Sequence, residues 1–204
     1  SNGEKKLLGL TDIRYKSVLY LMEICKVDDK YAKQVTKLSL QLFDSLKNIH
    51  KLSITEREYL EAASLLHDVG YYISHTQHHR HSYYIIRNAE LLGFSDREIE
   101  LISNIARYHR KSHPKIKHEG FSRLSIDDQE KVRRLAGIIR IADGLDRSHL
   151  SSISKIEPHI VGKTVNLKLK IIDNRDVSLD IWGAERKKEL FEETFGYKIK
   201  FTLN

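Results

Sequence analysis

Apolar residues recur at helical spacing through most of the first part of the chain. Between Tyr31 and Leu46 they form one stripe, with polar residues at the positions between them. Ser95 and Glu98 have the spacing of a capping box, which marks another helix start. Together with similar start and stop signals, these stripes predict helices over about residues 31–46, 53–70, 78–92, 95–109 and 125–145.

The spacing of apolar residues changes after Leu150. Val165–Ile171 alternates apolar and polar residues with a period of two, which is typical of a half-buried strand. Residues 177–181 alternate again after a turn-like segment, so we predict a hairpin. An amphipathic helix over residues 184–194 and a last strand over residues 198–203 complete the predicted order of elements.

These patterns predict a mainly α protein in two parts. Residues 1–150 form an all-helical domain, and residues 151–204 form a small α+β subdomain with a hairpin, a helix and a strand. A chain of 204 residues has the length for one domain with such an appendage. We expect the subdomain to pack against the helical part or another subunit, and to carry no site of its own.

Composition excludes several classes of protein. The chain is 40% hydrophobic and 31% charged, and its two prolines and ten glycines exclude collagen-like and low-complexity proteins. The single Cys25 excludes an internal disulfide framework and fits a reducing compartment. No apolar run is long enough to span a bilayer, and no signal segment opens the chain. We therefore expect a cytoplasmic protein with no membrane partner.

Charge and histidine content point to anions. The formal net charge is +7, from 35 Lys and Arg against 28 Asp and Glu, which favours phosphate-containing partners. Of the 11 histidines, eight lie between His67 and His118. Neutral imidazole is a common metal ligand, and imidazolium pairs with phosphate. The alternative is a solvated, polar helical surface.

A histidine–aspartate pair is the strongest candidate for chemistry. His67 and Asp68 follow an apolar helix, and the backbone can turn at a helix end so that both side chains reach one ion. Imidazole and carboxylate together suit manganese, iron or zinc, and carboxylate also binds magnesium. Asp143 lies late in another apolar helix, where a carboxylate is costly to bury unless it is paired or coordinated. Asp146 is an alternative to Asp143 as the ligand.

Other histidines lie close to this pair in the chain. His78, His79 and His81 open the next predicted helix, and their spacing places His78 and His81 on one side of it. His109 stands at the end of the fourth predicted helix. We expect one or two of the three neighbouring histidines to face the pair.

Four segments carry a resemblance to known proteins: His78–Ser82, Gly93–Ser95, Arg107–Lys111 and Ile141–His149. They resemble the C-terminal half of the exopolyphosphatase/guanosine pentaphosphate phosphohydrolase (Ppx/GppA) family. The order of the candidate ligands resembles that of the HD-domain superfamily of metal-dependent phosphohydrolases. The resemblance implies an HD-like helical bundle, with Asp68 as the catalytic base. A divalent metal (Mn, Mg, Fe or Zn) would be held among His67, Asp68, Asp143, His81 and His109.

Phosphate would be bound by basic residues near the same centre. The candidates are Arg107, Arg110, Lys111 and, more distantly, Arg147. The basic stretches 107–117 and 131–140 are either solvated helix faces or an electrostatic track for a polyanion. The resemblance further implies that this region helps to form a basic passage for polyphosphate and contributes to a homodimer.

The chain departs from the resembled pattern in two respects. Full-length family members carry their phosphatase centre in actin-like domains, and nothing comparable is found in this sequence. Tyr31 also stands where the HD superfamily has an additional metal-binding histidine, and a neutral tyrosine is a poor ligand for these ions.

We therefore expect the HD-like C-terminal region of an exopolyphosphatase-family phosphohydrolase. It would bind polyphosphate or guanosine polyphosphates and support their hydrolysis, and nucleic acid is not an expected partner. Two alternatives stay open. One is an autonomous metal-dependent HD phosphohydrolase that acts on a nucleotide, and the other is a catalytically decayed regulatory or dimerisation module.

Overall fold

The computed structural model describes residues 12–203, so residues 1–11 of the predicted helical domain, and Asn204, lie outside the described part. The helical part contains α1 (Asp12–Ile24), α2 (Asp29–Ser45), α3 (Lys47–His50), α4 (Ile54–Leu66), a 3-10 turn (Val69–Tyr72), α5 (His78–Asn88), α6 (Asp96–Arg107), α7 (Glu119–Ser122) and α8 (Ile126–Gly144). It is followed by β1 (Ile153–Val161), β2 (Thr164–Ile171), α9 (Ser178–Glu185), α10 (Glu189–Phe195) and β3 (Lys198–Leu203). The predicted fold class, mainly α with a small α+β part at the C-terminal end, is confirmed. Within residues 12–203, no helix combines the length and apolar character needed to cross a membrane.

Local signals in the sequence start the helices where they were predicted. The amide of Ser95 donates to Glu98 Oε1 at 3.0 Å, and the amide of Glu98 donates to Ser95 Oγ at 3.2 Å. This reciprocal pair is the predicted capping box, and it satisfies two amides that the helix itself leaves unpaired. Ser53 and Glu56 form a second capping box at the start of α4.

The hairpin lies earlier in the chain than predicted. β1 and β2 pair antiparallel, from Ile153 opposite Ile171 to Val161 opposite Thr164. β1 contains Pro158, which is tolerated because this strand lies at the edge of the sheet. The predicted last strand is present as β3, which pairs parallel with β2.

The predicted strand over residues 177–181 is wrong, because this segment begins helix α9. The alternation assigned Asp180 to solvent, yet its side chain is fully buried. It accepts hydrogen bonds from the amide of Ser148 at 2.8 Å and from the Ser148 hydroxyl at 3.1 Å. The single helix predicted over residues 184–194 is likewise divided into α9 and α10, with a turn between them.

The sheet and the last two helices pack against the helical part. The side-chain amide of Gln34 donates to the carbonyl of Ile153 at 2.7 Å, and the amide of Ile156 donates to Gln41 Oε1 at 2.9 Å. The buried apolar side chains of both parts form one continuous cluster. The C-terminal part therefore docks on the helices of its own chain.

Helices α8 and α9 approach each other closely at two glycines. A Cβ atom on Gly144 would lie 2.7 Å from the Cα of Ala184, and one on Gly183 would lie 2.5 Å from the carbonyl oxygen of Gly144. Real Cβ atoms do not approach other atoms so closely, so this crossing requires both glycines. It holds the turn after α9 beside the C-terminal end of α8.

Candidate functional site

The end of α4 turns two adjacent side chains toward one point. The helix ends at Leu66, and Asp68 has left the helical conformation, with φ −105° and ψ 10°. His67 Nε2 consequently lies 3.4 Å from Asp68 Oδ2, with the His67 side chain fully buried. The geometry that the sequence suggested for this pair is present in the structure.

The turn after Asp68 packs directly on the first turn of α5. A Cβ atom on Gly70 would overlap the carbonyl oxygen of His78, so only glycine allows this approach. The Gly70 amide donates to Ser82 Oγ at 2.9 Å, and the Ser82 hydroxyl donates to the carbonyl of His67 at 2.7 Å. The start of α5 is thereby held against the aspartate.

The structure brings His78, and not His81, to Asp68. His78 Nε2 lies 3.1 Å from Asp68 Oδ1 and 3.2 Å from His109 Nε2. His78 is the first residue of α5, at the point where the Gly70 turn touches the helix. His81 lies one turn further along and is half-buried, and among the described contacts it makes none with this centre.

Besides His78, two further histidines, His67 and His109, present their Nε2 atoms to Asp68. A ring nitrogen of His67 lies 2.6 Å from the carbonyl of Ser64, and one of His109 lies 2.6 Å from the carbonyl of Ala106. A carbonyl only accepts, so each Nδ1 carries the proton. The Nε2 atoms and an oxygen of Asp68 lie within 4.8 Å of one another. Metal-binding histidines are commonly oriented in this way, so His67, Asp68 and His109 can hold a divalent cation.

Asp143 joins this centre from α8 but is already engaged by two other groups. Its Oδ1 lies 3.1 Å from His67 Nε2 and accepts a hydrogen bond from the hydroxyl of Tyr31. Its Oδ2 is bonded by the ammonium group of Lys187. Tyr31, predicted to replace a ligand histidine, therefore acts as a hydrogen-bond donor to Asp143.

Lys187 is the member of the centre that the sequence did not reveal. It lies in the turn between α9 and α10, within a part of the chain predicted to carry no site of its own. In the sequence it stands between Arg186 and Lys188, and such a run of charged residues usually indicates a solvent-exposed surface. Only the close crossing of α8 and α9 shows that its side chain reaches Asp143.

Burial and neighbouring charges together set the pKa values of the groups in the centre. Burial disfavours the charged form of His67, but Asp68 and Asp143 outweigh it and raise the pKa of His67 to about 9, so a metal ion would have to displace the proton from its Nε2. Burial lowers the pKa of His109 to about 4, so this imidazole is neutral at pH 7. Burial and the Asp143 charge raise the pKa of Tyr31, so its phenol remains a neutral donor.

The two carboxyl groups of the centre stay ionised although each side chain is only 15% exposed. His67 and the other imidazoles around Asp68 hold its pKa well below the usual range against the effect of burial. Lys187 and His67 do the same for the pKa of Asp143. Both groups therefore offer charged oxygens at neutral pH.

Asp146, the alternative ligand, faces away from the centre. Its Oδ1 accepts from the amide of Ser151 at 2.9 Å, and Oδ2 has no hydrogen-bond partner among the described residues. Burial, followed by the charges of Asp180 and Asp143, raises the pKa of Asp146 to about 7. The folded protein therefore retains the proton of Asp146 at pH values below about 7.

This raised pKa predicts a pH-dependent stability. The folded state retains the Asp146 proton longer than the unfolded state, so the free energy of unfolding falls as pH rises from about 4 to above 7, by at most about 4 kcal/mol. Asp146→Asn should leave stability nearly unchanged at pH 5 and raise it at pH 8, measured by urea unfolding. The exposed Asp176→Asn is the control, and equal pH slopes for wild type and Asp146→Asn would refute the assignment.

A basic pocket of about 750 Å³ opens beside the centre. Among the described residues, its lining contains five Lys or Arg residues and three histidines but no acidic residue: Arg80, Arg107, Arg110, Lys111, Lys117, His75, His79 and His118, with Thr76, Gln77, Tyr108 and Ser112. A second pocket, of about 260 Å³, mixes acidic and basic groups. The larger pocket therefore has the charge of an anion site.

Arg110 connects the pocket to the His–Asp centre. Arg110 lines the pocket and its guanidinium donates to His78 Nδ1 at 3.0 Å, while His78 Nε2 lies 3.1 Å from Asp68 Oδ1. Arg107 and Lys111, two further predicted phosphate ligands, line the same pocket. Arg147 is exposed and is not part of the lining.

The second basic stretch, residues 131–140, does not extend the pocket. Lys131 pairs with Glu56 and Asp127. Arg140 is buried and donates to the carbonyl oxygens of Tyr108, at 2.8 Å, and Lys111, at 2.7 Å. Arg140 thus holds the turn that carries His109 and Arg110.

Comparison with known proteins assigns the family. The sequence model described as Ppx/GppA phosphatase, domain III, matches residues 13–183. The chain belongs to the Ppx/GppA phosphatase family. The resemblance predicted from the sequence is confirmed, and the matched part of this Ppx/GppA chain includes His67, Asp68, His109 and Asp143. Lys187 lies just beyond it.

Two curated relatives agree with the Ppx/GppA assignment. A guanosine-5'-triphosphate,3'-diphosphate pyrophosphatase of Pseudoalteromonas translucida (strain TAC 125) is 32% identical over 133 residues, which cover 65% of this chain and 26% of the relative. The protein of the same name from Pseudoalteromonas atlantica (strain T6c / ATCC BAA-1087) is 26% identical over 132 residues, which cover 64% of this chain and 26% of that relative. The Ppx/GppA chain thus spans about a quarter of the length of these relatives.

Proposed function

We propose that this chain binds polyphosphate or a guanosine polyphosphate in the basic pocket and supports hydrolysis of a phosphate bond at the adjacent His–Asp centre. The observation that carries the proposal is the position of Arg110, which lines the pocket and also contacts His78 of the centre. Relatives named as guanosine-5'-triphosphate,3'-diphosphate pyrophosphatases support this choice of substrate class.

The basic pocket suits a polyanion because no acidic side chain of the described residues lines it and neutralises its positive charge. Arg107, Lys111 and Lys117 place positive charge along its wall, which suits a flexible chain of phosphates. Guanidinium groups such as that of Arg110 contact phosphate oxygens through two parallel N–H donors. A terminal phosphate bound there lies next to the edge of the His–Asp centre.

The donor set fits a divalent metal. His67, Asp68 and His109 would hold Mn, Fe, Zn or Mg, with water completing the shell. Such an ion polarises a phosphoryl oxygen and lowers the pKa of bound water. With the pKa of that water lowered in this way, Asp68 would take its proton, and the imidazole of His78, with Nε2 3.1 Å from Asp68 Oδ1, keeps the carboxylate oriented. The guanidinium of Arg110 stabilises negative charge on the phosphoryl group.

Salt-dependent binding tests the polyanion site. Lys111→Gln with Lys117→Gln should weaken binding of long polyphosphate and reduce the slope of log K against log salt by about one for each lysine. Fluorescence titration at several salt concentrations measures both quantities. Lys168→Gln with Lys170→Gln, on β2, removes the same charge outside the pocket and should leave the slope closer to that of the wild type. Equal losses in both double variants would refute binding in the pocket.

One observation favours a second candidate, a binding or dimerisation module whose hydrolytic centre has decayed. The phenol of Tyr31 occupies Asp143 Oδ1, an oxygen that a histidine at position 31 would leave available to a cation. Purified protein assayed with polyphosphate and Mn²⁺ separates the two candidates. Binding without any hydrolysis supports the module, and its mass in solution by light scattering then tests the predicted homodimer.

A further inference from the structure

The two carboxylates of the centre have different surroundings. Asp68 is contacted by imidazoles, at 3.4 Å from His67, 3.1 Å from His78 and 3.4 Å from His109, and the described residues place no Lys or Arg at ion-pair distance from it. Asp143 Oδ2, in contrast, is paired with the Lys187 ammonium. The Asp68 end of the centre therefore offers ligands to a metal cation, whereas the Asp143 end is already paired with the positive charge of Lys187.

Lys187 is a fixed part of this arrangement. Its side chain is only 18% exposed, and its amide donates to the carbonyl of Ala184 at 3.0 Å. The glycine contact between Gly144 and Gly183 places its turn beside Asp143. A surface lysine would exchange freely with solvent, whereas this ammonium is held at one oxygen by the packing of the fold.

A second divalent ion at Asp143 would meet strong competition. Oδ2 is occupied by an ammonium group and Oδ1 by the hydroxyl of Tyr31. A cation bound there would lie within a few ångströms of the Lys187 charge, in a buried place where screening is weak. It would also lack a further imidazole, because residue 31 is a tyrosine.

We propose that Lys187 acts as a built-in cation that fills the Asp143 end of the centre, so that the protein binds a single divalent ion, at His67, Asp68 and His109. This inference rests on the metal-binding part of the proposed function. The ammonium also supplies the second positive charge that two-metal phosphohydrolases obtain from their second ion.

Counting bound metal tests this role. Isothermal titration with MnCl₂, with metal analysis after dialysis, should give about one Mn²⁺ per chain for the wild type and a second, weaker Mn²⁺ site for Lys187→Met, at the Asp143 oxygen that the ammonium leaves free. Lys188→Met is the matched control, because Lys188 pairs with Glu185 and the carbonyl of Ile199, away from the centre, and it should retain one ion. The rise in melting temperature on Mn²⁺ saturation should be larger for Lys187→Met, since the metal then neutralises an unpaired Asp143.

Each outcome separates this inference from the proposed function. One ion in both wild type and Lys187→Met, or two ions in the wild type, overturns the role of Lys187 and leaves metal-dependent hydrolysis standing. No ion in the wild type but one or more in Lys187→Met overturns the metal-dependent function and, with it, the single-ion state proposed here. No ion in either protein overturns both. If Lys187→Met does not fold, as judged by circular dichroism, Lys187→Gln retains a hydrogen-bond donor without the charge and is read in the same way.

Discussion

Replacing Asp68 by alanine is expected to lower Mn²⁺-dependent hydrolysis of polyphosphate by at least about 100-fold, the usual contribution of a general base. The change removes the carboxylate that faces His67, His78 and His109 together. It should also remove the Mn²⁺-dependent rise in melting temperature, because two imidazoles alone bind the ion weakly. Initial rates of phosphate release and thermal unfolding with and without MnCl₂ measure these effects.

Asp127→Ala is a suitable control for this experiment. Asp127 has a largely exposed side chain that pairs with Lys131 one turn along α8, and its loss should cost less than about 1 kcal/mol. A rate for Asp68→Ala equal to that of Asp127→Ala would show that any hydrolysis arises elsewhere than at this centre. The polyphosphate affinity of both variants should stay close to that of the wild type, since neither residue lines the basic pocket.

Gly70→Ala is expected to destabilise the protein by about 3 kcal/mol, at the upper end of the range for overpacking. The added methyl group would overlap the backbone carbonyl of His78 and crowd Ser82, and backbone atoms cannot move aside as a flexible side chain can. The first turn of α5 must therefore shift away from Asp68. Urea unfolding measures the loss of stability.

Gly196→Ala provides the comparison for this substitution. Gly196 has φ 70° and nothing within 4 Å of an added Cβ, so alanine there meets only the strain of the left-handed conformation, about 1 kcal/mol. Equal destabilisation by the two substitutions would show that the contact between Gly70 and α5 is not required. A loss at Gly70 well above that at Gly196 supports it.

Local patterns were sufficient to predict most of the helical part. The capping boxes at Ser53 and Ser95 are formed by residues three apart, so nothing distant in the chain is needed to specify them. The convergence of His67 and Asp68 follows in the same way from the end of one helix. Such features are encoded within a few residues of sequence.

Features that depend on distant contacts were predicted less well. The alternation at residues 177–181 indicated a strand because it could not show that Asp180 is buried against Ser148. Helical spacing treated His78 and His81 alike, and only the packing of Gly70 on α5 distinguishes them. Lys187 has no local signal at all, because its role depends on where α9 crosses α8.

Lys187, in the turn between α9 and α10, follows the other members of the centre in the chain, and this affects the order in which the centre can be completed. A ribosome synthesises the helices carrying Asp68, His109 and Asp143 before it reaches Lys187, and chains begin to fold from the N-terminal side. A bundle that lacked α9 and α10 would hold Asp143 without its ammonium partner. The charge balance of the centre is therefore complete only when α9 and α10 have docked on α8.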